Sequence, residues 1–113
     1  MNISNDTIER ILNFSKERDW EQFHNPKDLA ISLSLEASEL LELFQWKNNE
    51  EAIEKGRERM MDEIADVLTY AIDFCSAMGF NDLNSLLLNK LKKNEEKYPI
   101  QLAKGSNKKY NEL

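Results

Sequence analysis

From Leu35 to Trp46 the chain reads Leu-Glu-Ala-Ser-Glu-Leu-Leu-Glu-Leu-Phe-Gln-Trp, a run of strong helix formers with no Gly or Pro. At about 100° per residue, Leu33, Ala37, Leu40, Leu43 and Phe44 share one apolar arc, and Glu36 falls inside it. Glu39 and Trp46 stand at the margin of that arc, and Glu42 turns outward. A second amphipathic stretch repeats the pattern. Met60, Ile64, Val67, Ala71, Phe74 and Met78 form its stripe, with Glu63 at one edge beside Tyr70 and Asp66 flanking it. Two helices thus each direct an acid toward the place where a core should form. Ionised carboxylates taken out of water without partners cost several kcal/mol each, so they stay charged only if a cation, read here as a divalent metal, compensates them.

Spacing alone does not single these acids out. In a chain with 21 acidic residues, pairs three apart also occur at Asp6/Glu9 and Glu51/Glu54, where they suit helix starts. Direction is the distinguishing feature, because Glu36 and Glu63 lie within apolar stripes. Two readings follow from the residues: ligation of a cation, or acids that reach out of a loose stripe or pair with Lys90 and Lys97. If a metal is held, four carboxylates make an oxygen-only donor set, which suits Mg²⁺ or Mn²⁺ rather than zinc. A di-iron bundle needs Glu-x-x-His on its helices, and the only histidine, His24, falls in a connector. No Ser or Cys pairs with a His as a nucleophile, and Gly-rich phosphate loops are absent. Cys75 reads as a reduced core thiol.

The remaining chain predicts an all-α protein, a four-helix bundle in one domain spanning 1–113. Three Gly and two Pro against 41% hydrophobic and 32% charged residues fit a compact helical chain. The first helix is expected from an Asp6 cap to about Arg18, burying Ile8, Ile11, Leu12, Phe14 and Ser15. Trp20, Phe23 and His24 crowd an unusually aromatic connector. Asn25 caps and Pro26 opens the second helix, expected to run to Trp46. Glu50 to Glu58, broken by Gly56, reads as a charged turn with a short helix. The third helix follows from about Arg57 to Met78, with Gly79 behind its end. The fourth starts after Asn81 or Asp82 and stops before Pro99. Its arc passes from Leu83, Leu86 and Leu87 to Lys90, Asn94 and Lys97, so its first half packs and its second half presents polar and cationic groups. Residues 98–113 form a polar tail.

A net charge of −6 disfavours nucleic acid and anionic membrane surfaces as partners. The longest apolar run, Leu86-Leu87-Leu88, is far below the roughly 20 residues of a membrane span. Without a basic and apolar leader at its start, the chain is expected in the cytoplasm.

Taken together, Glu-Arg-Asp-Trp-Glu-Gln-Phe-His (17–24), Glu-Ala-Ser-Glu-Leu-Leu-Glu-Leu-Phe-Gln-Trp (36–46), Asp-Glu-Ile-Ala-Asp-Val-Leu-Thr-Tyr (62–70), Lys-Tyr-Pro (97–99) and Lys-Lys-Tyr-Asn-Glu-Leu (108–113) resemble the MazG-like nucleotide pyrophosphohydrolases, and most of all their dCTP pyrophosphatase branch. The resemblance implies a Mg²⁺-dependent enzyme that splits a deoxynucleoside triphosphate between its α- and β-phosphates. It implies Glu36, Glu39, Glu63 and Asp66 as metal ligands and catalytic acids, and Trp20, Phe23, His24, Trp46 and Tyr70 as the base and sugar pocket. Lys90, Asn94 and Lys97 become candidates for the outer phosphates, and a homodimer or a dimer of dimers becomes the expected assembly. One departure stands out: Ile11 occupies the position at which the animal members place a substrate-contacting His. Two alternatives stay open: a broader NTP, dUTP or phosphoribosyl-ATP pyrophosphohydrolase, and a non-catalytic helical oligomer that binds nucleotide.

Overall fold

The computed structural model describes residues 1–113. The chain is all-α: α1 (Asn5–Glu17), a single 3-10 turn (Glu21–Phe23), α2 (Pro26–Glu42), α3 (Asn49–Ala77), α4 (Leu83–Lys97), the short α5 (Ile100–Ala103) and a terminal 3-10 turn (Tyr110–Glu112). It packs as two compact units, Met1–Gly79 and Phe80–Leu113.

In the first unit, α2 and α3 lie along one another and α1 rests on α3. The termini of these helices show why they begin where they do. Ser4, not Asp6, caps α1, its Oγ accepting from the Thr7 N–H at 3.1 Å. Asn25 Oδ1 accepts from the Asp28 N–H at 2.9 Å, with Pro26 supplying the preset first turn of α2. Asn48 caps α3 in the same way, accepting from the Glu51 N–H at 2.9 Å. α3 therefore starts eight residues earlier than the hydrophobic stripe predicts, and it is broken at Gly56 (φ −128°, ψ 15°). The short segment before the break buries Ala52. Behind Met78, Gly79 takes φ +74°, the left-handed conformation that closes a helix without a Cβ clash.

α2 stops at Glu42, four residues short of the predicted end. Leu43, Phe44 and Gln45 instead donate to the carbonyls of Leu40, Leu41 and Glu42, bonds three residues back that tighten the last turn. Trp46 follows at φ +62° and is 92% exposed. The expectation that Trp46 flanks Glu39 on the helix is therefore wrong.

In the second unit, the Asp82 carboxylate accepts from the Ser85 N–H at 3.0 Å and from the Ser85 hydroxyl at 2.8 Å, which starts α4 and holds the Asp82 carboxyl below its usual range. The tail is not loose here. Tyr110 lies edge-on to Tyr98 at 6.2 Å, and the Lys97 ammonium sits 4.9 Å from the Tyr110 ring centre.

The buried apolar core is small, namely Leu29, Ala52 and Ile72. Leu35 and Leu41 on α2 and Met61 and Leu68 on α3 are each more than half exposed.

A non-Gly residue at left-handed φ is strained by roughly 1–2 kcal/mol. Because the Trp46 side chain is almost wholly in solvent, Trp46→Gly should relieve that strain at little packing cost. We expect a gain of about 1 kcal/mol in urea unfolding; a loss would show that the indole makes stabilising contacts.

Candidate metal centre and aromatic cavity

The packing of α2 against α3 brings Glu36, Glu39 and Glu63 together, with one carboxylate oxygen of each within 4.8 Å of the others. Glu36 and Glu63 are half-buried and Glu39 is exposed. Oε2 of Glu36 and Oε2 of Glu63 are buried and accept no hydrogen bond. Such atoms ordinarily find a donor, so two orphaned oxygens in one cluster require a physical account.

The electrostatics point the same way. Burial, then the adjoining Glu39 side chain through contact and charge, then the charges of Asp66 and Glu63, push the Glu36 carboxyl up to about 7. Glu63 is raised by burial first, then by Glu39 and Asp66, while Arg59 one turn earlier pulls it back. The cluster is thus an excess of oxygen donors and negative charge with no cation among them. Acid oxygens at this spacing fit a hard divalent ion, which would take up the orphaned lone pairs and allow all three groups to ionise.

Asp66 is not part of the three-oxygen cluster. It acts on Glu36 and Glu63 by charge, and its side chain lines an open groove between α1 and α3 with Thr7, Arg10, Ile11, Phe14 and Thr69. Ile11 and Asp66 thus share one groove.

The aromatic connector forms a second feature of the same unit. Trp20, Phe23, His24 and Tyr70 line a cavity of about 240 Å³ together with Asp28, Leu29 and Ser32 of α2. Trp20 is held edge-on to Phe14 at 5.6 Å, its main-chain N–H donates to the Ser15 carbonyl at 2.9 Å, and the Arg18 guanidinium lies over the Phe14 ring at 3.7 Å from its centre. Trp46 stands apart on its exposed turn. Lys90, Asn94 and Lys97 belong to α4 in the second unit, with Lys90 and Lys97 exposed and Asn94 half-buried.

Asp28 and Ser32 were not expected in the cavity, although their spacing of four places both on the face of α2 that carries Leu29. Asp73 was also missed. It is buried on α3 and lines an adjacent cavity of about 210 Å³ with His24. Its position three residues after Tyr70, next to the buried Ile72, was the available signal.

An α-helical pair presenting inward acids beside an aromatic cavity defines a recognisable class. Residues 31–113 match the MazG-like family. The chain belongs to that family. Human dCTP pyrophosphatase 1 is 43% identical over 105 residues, covering 88% of this chain and 61% of the human protein. The bovine protein of the same name is 41% identical over the same length, 88% of this chain and 62% of its own. The chain therefore spans about three-fifths of the length of these relatives. Among solved structures, a pyrophosphatase from Archaeoglobus fulgidus aligns with a TM-score of 0.76 at 33% identity, covering 88% of this chain and 98% of that one.

A carboxyl whose folded value lies above its unfolded one binds its proton more tightly when folded. In the metal-free protein, stability should therefore fall as pH rises from about 4.5 to about 7, the window in which unfolded Glu36 has ionised and folded Glu36 has not. Thermal unfolding in EDTA across this range should show the decline. Mg²⁺ or Mn²⁺ should reverse it above pH 7, and Glu36→Gln should flatten it. A profile that is level, or that rises with pH in EDTA, would contradict the assignment.

Proposed function

We propose that the chain is a divalent-cation-dependent nucleoside triphosphate pyrophosphohydrolase. It converts a deoxynucleoside triphosphate, dCTP or a modified dCTP, to the monophosphate and pyrophosphate, and so clears that nucleotide from the cytoplasmic pool. The observation that carries this reading is the order of groups along α3. Glu63 stands in the acid cluster, and Tyr70, seven residues on and about 10 Å along the axis, stands in the aromatic cavity. A triphosphate directed at the acids leaves its base in reach of the aromatic side chains. The printed activities of the relatives support the same chemistry.

Glu36, Glu39 and Glu63, with Asp66 alongside, are the residues that would hold the cation. Bound there, Mg²⁺ or Mn²⁺ supplies charge neutralisation and polarisation of phosphoryl oxygens, without which this acidic protein repels its substrate. Glu39 is the exposed carboxylate of the three, so it meets solvent and accepts the proton of the attacking water. The water oxygen bonds to phosphorus as the α–β bridging bond breaks, and the leaving pyrophosphate takes the bond's electrons. Catalysis of this type is chiefly positioning and electrostatics. Trp20, Phe23 and Tyr70 offer faces for the base, a contact worth roughly 1–3 kcal/mol per base. Asp28, Ser32 and His24 offer the polar groups that distinguish one base edge from another. Strain at exposed Trp46 fits a side chain kept for contact with a ligand.

A second reading, broader base preference, is favoured by Ile11. It puts an apolar side chain in the groove beside Asp66, at the position where the animal members are expected to contact substrate through His. Product analysis over the dNTPs, dUTP and phosphoribosyl-ATP decides between the two.

The exposed apolar side chains of α2 and α3 support assembly of copies into a dimer or a dimer of dimers. Light scattering at micromolar concentration should give a mass above that of one chain. No helix is long and apolar enough to cross a membrane.

Glu39→Gln and Glu63→Gln should each lower kcat roughly a hundredfold or more. Neither should lower the Tm of the metal-free protein, since each removes a repelling charge. Turnover unchanged in both variants would refute the assignment of the acid cluster as the catalytic site, and no turnover in the wild type would leave a helical nucleotide-binding oligomer.

A further inference from the structure

A second cavity of the same unit, about 210 Å³, is lined by Ser15, Glu21, His24, Asp73 and Ser76 among others. His24 lines both cavities. Its main chain is fixed on either side: the His24 N–H donates to the Glu21 carbonyl at 3.0 Å, and the next residue, Asn25, caps α2. What the backbone leaves free is the rotation of the imidazole. Asp73 is 6% exposed and is the most deeply buried acid of the chain. No Lys or Arg lines either cavity, so His24 is the one group there able to offset the charge of Asp73.

We propose that Asp73 is a positioning residue, whose buried carboxylate holds the His24 imidazole in the wall shared by the two cavities and thereby sets the shape and polarity of the aromatic one. The groups facing His24 from the packed elements are Glu21 on the 3-10 turn, Asp28 on α2, and Tyr70 and Asp73 on α3; α1 presents only Leu12 and Ser15. Of the three acids, Glu21 and Asp28 are solvated, and Asp73 alone cannot trade its partner for water. Burial pushes the Asp73 carboxyl up, and the charge of His24 draws it back down. Tyr70 and Asp73 lie three residues apart on the same face of α3, so one helix both lines the aromatic cavity and orients the wall opposite. The role rests on the reading of that cavity as a base site, whereas the charge interaction of Asp73 with His24, which line one cavity, does not.

Two measurements on the full chain separate these layers. The first follows the Asp73 carboxyl by ¹³C NMR against pH in the wild type and in His24→Asn. The resonance should titrate at higher pH in the variant, and coincident curves would overturn the interaction. The second is steady-state hydrolysis of dCTP with Mg²⁺ by Asp73→Asn, an isosteric change that removes the charge. KM should rise roughly tenfold while kcat stays within about twofold. The His24 ring ¹⁵N signals should report a changed tautomer or broadened orientation in the same variant. Parallel losses in kcat and KM, or an unchanged KM, would overturn the positioning role. If the wild type hydrolyses no nucleotide while the carboxyl titration still moves, the base-site reading has failed and the Asp73–His24 interaction stands.

Discussion

Three carboxylates within 4.8 Å of one another are the constraint around which the first unit is arranged. Two helices optimised only for mutual packing would put apolar side chains at Glu36 and Glu63. Instead the chain directs acids there, leaves one oxygen of each buried without a donor, and accepts a Glu36 carboxyl pushed up to about 7. Such a cluster has two low-energy conditions: protons retained, or a cation bound. Whether the acids converge at all is set by the α2–α3 register, because shifting α3 by one residue, a screw step of about 1.5 Å and 100°, would turn Glu63 out of reach. The same packing that makes the fold therefore sets the affinity of the site.

α3 also acts as a rule along which the groups are spaced. Glu63, Asp66, Tyr70 and Asp73 follow at intervals of three, four and three, which spreads them over a sector of about 80° and so divides them between the acid cluster, the α1 groove and the two cavities. A single continuous element can thus hold acids, an aromatic wall and the partner of His24 at fixed separations. The break at Gly56 lies well before this stretch, so the change of direction after α2 is absorbed without disturbing the spacing.

The parts of this arrangement that local chemistry determines were readable in the residues. Asn25-Pro26 and Gly79 mark helix limits because capping and left-handed φ depend on one or two side chains. The inward turn of Glu36 and Glu63 follows from helical phase alone. The end of α2 did not follow, because no propensity in Leu43 to Trp46 opposes a helix. There the chain closes the last turn with bonds three residues back and places a tryptophan where glycine is usual. The separation of Asp66 from the cluster was equally hidden. Residues three apart differ by about 60° around the axis, and Asp is one methylene shorter than Glu, so Glu63 reaches α2 while Asp66 faces the α1 groove. Phase gives direction within a helix, whereas convergence depends on the distance between two helices. Asp73 was obscured for a related reason, since its partner comes from a connector and not from a helix of predictable phase.

The small core bears on how firmly that convergence is held. Leu29, Ala52 and Ile72 are few anchors for helices that press like charges together, and side chains such as Leu35, Leu41, Met61 and Leu68 on the same two helices lie largely in solvent. Apolar surface of this kind contributes roughly 25 cal/mol per Å² when removed from water, so covering it would add to the energy opposing separation of α2 from α3. Self-association that used these faces would then do more than add mass. It would fix the helix pair against the repulsion of its own acids, linking occupancy of the site to the assembly of copies by mass action. The acids at Glu36, Glu39 and Glu63 and the exposed Leu35, Leu41, Met61 and Leu68 therefore act on the same helix pair in opposite senses: the charges repel α2 from α3, and covering the apolar side chains would hold the two together.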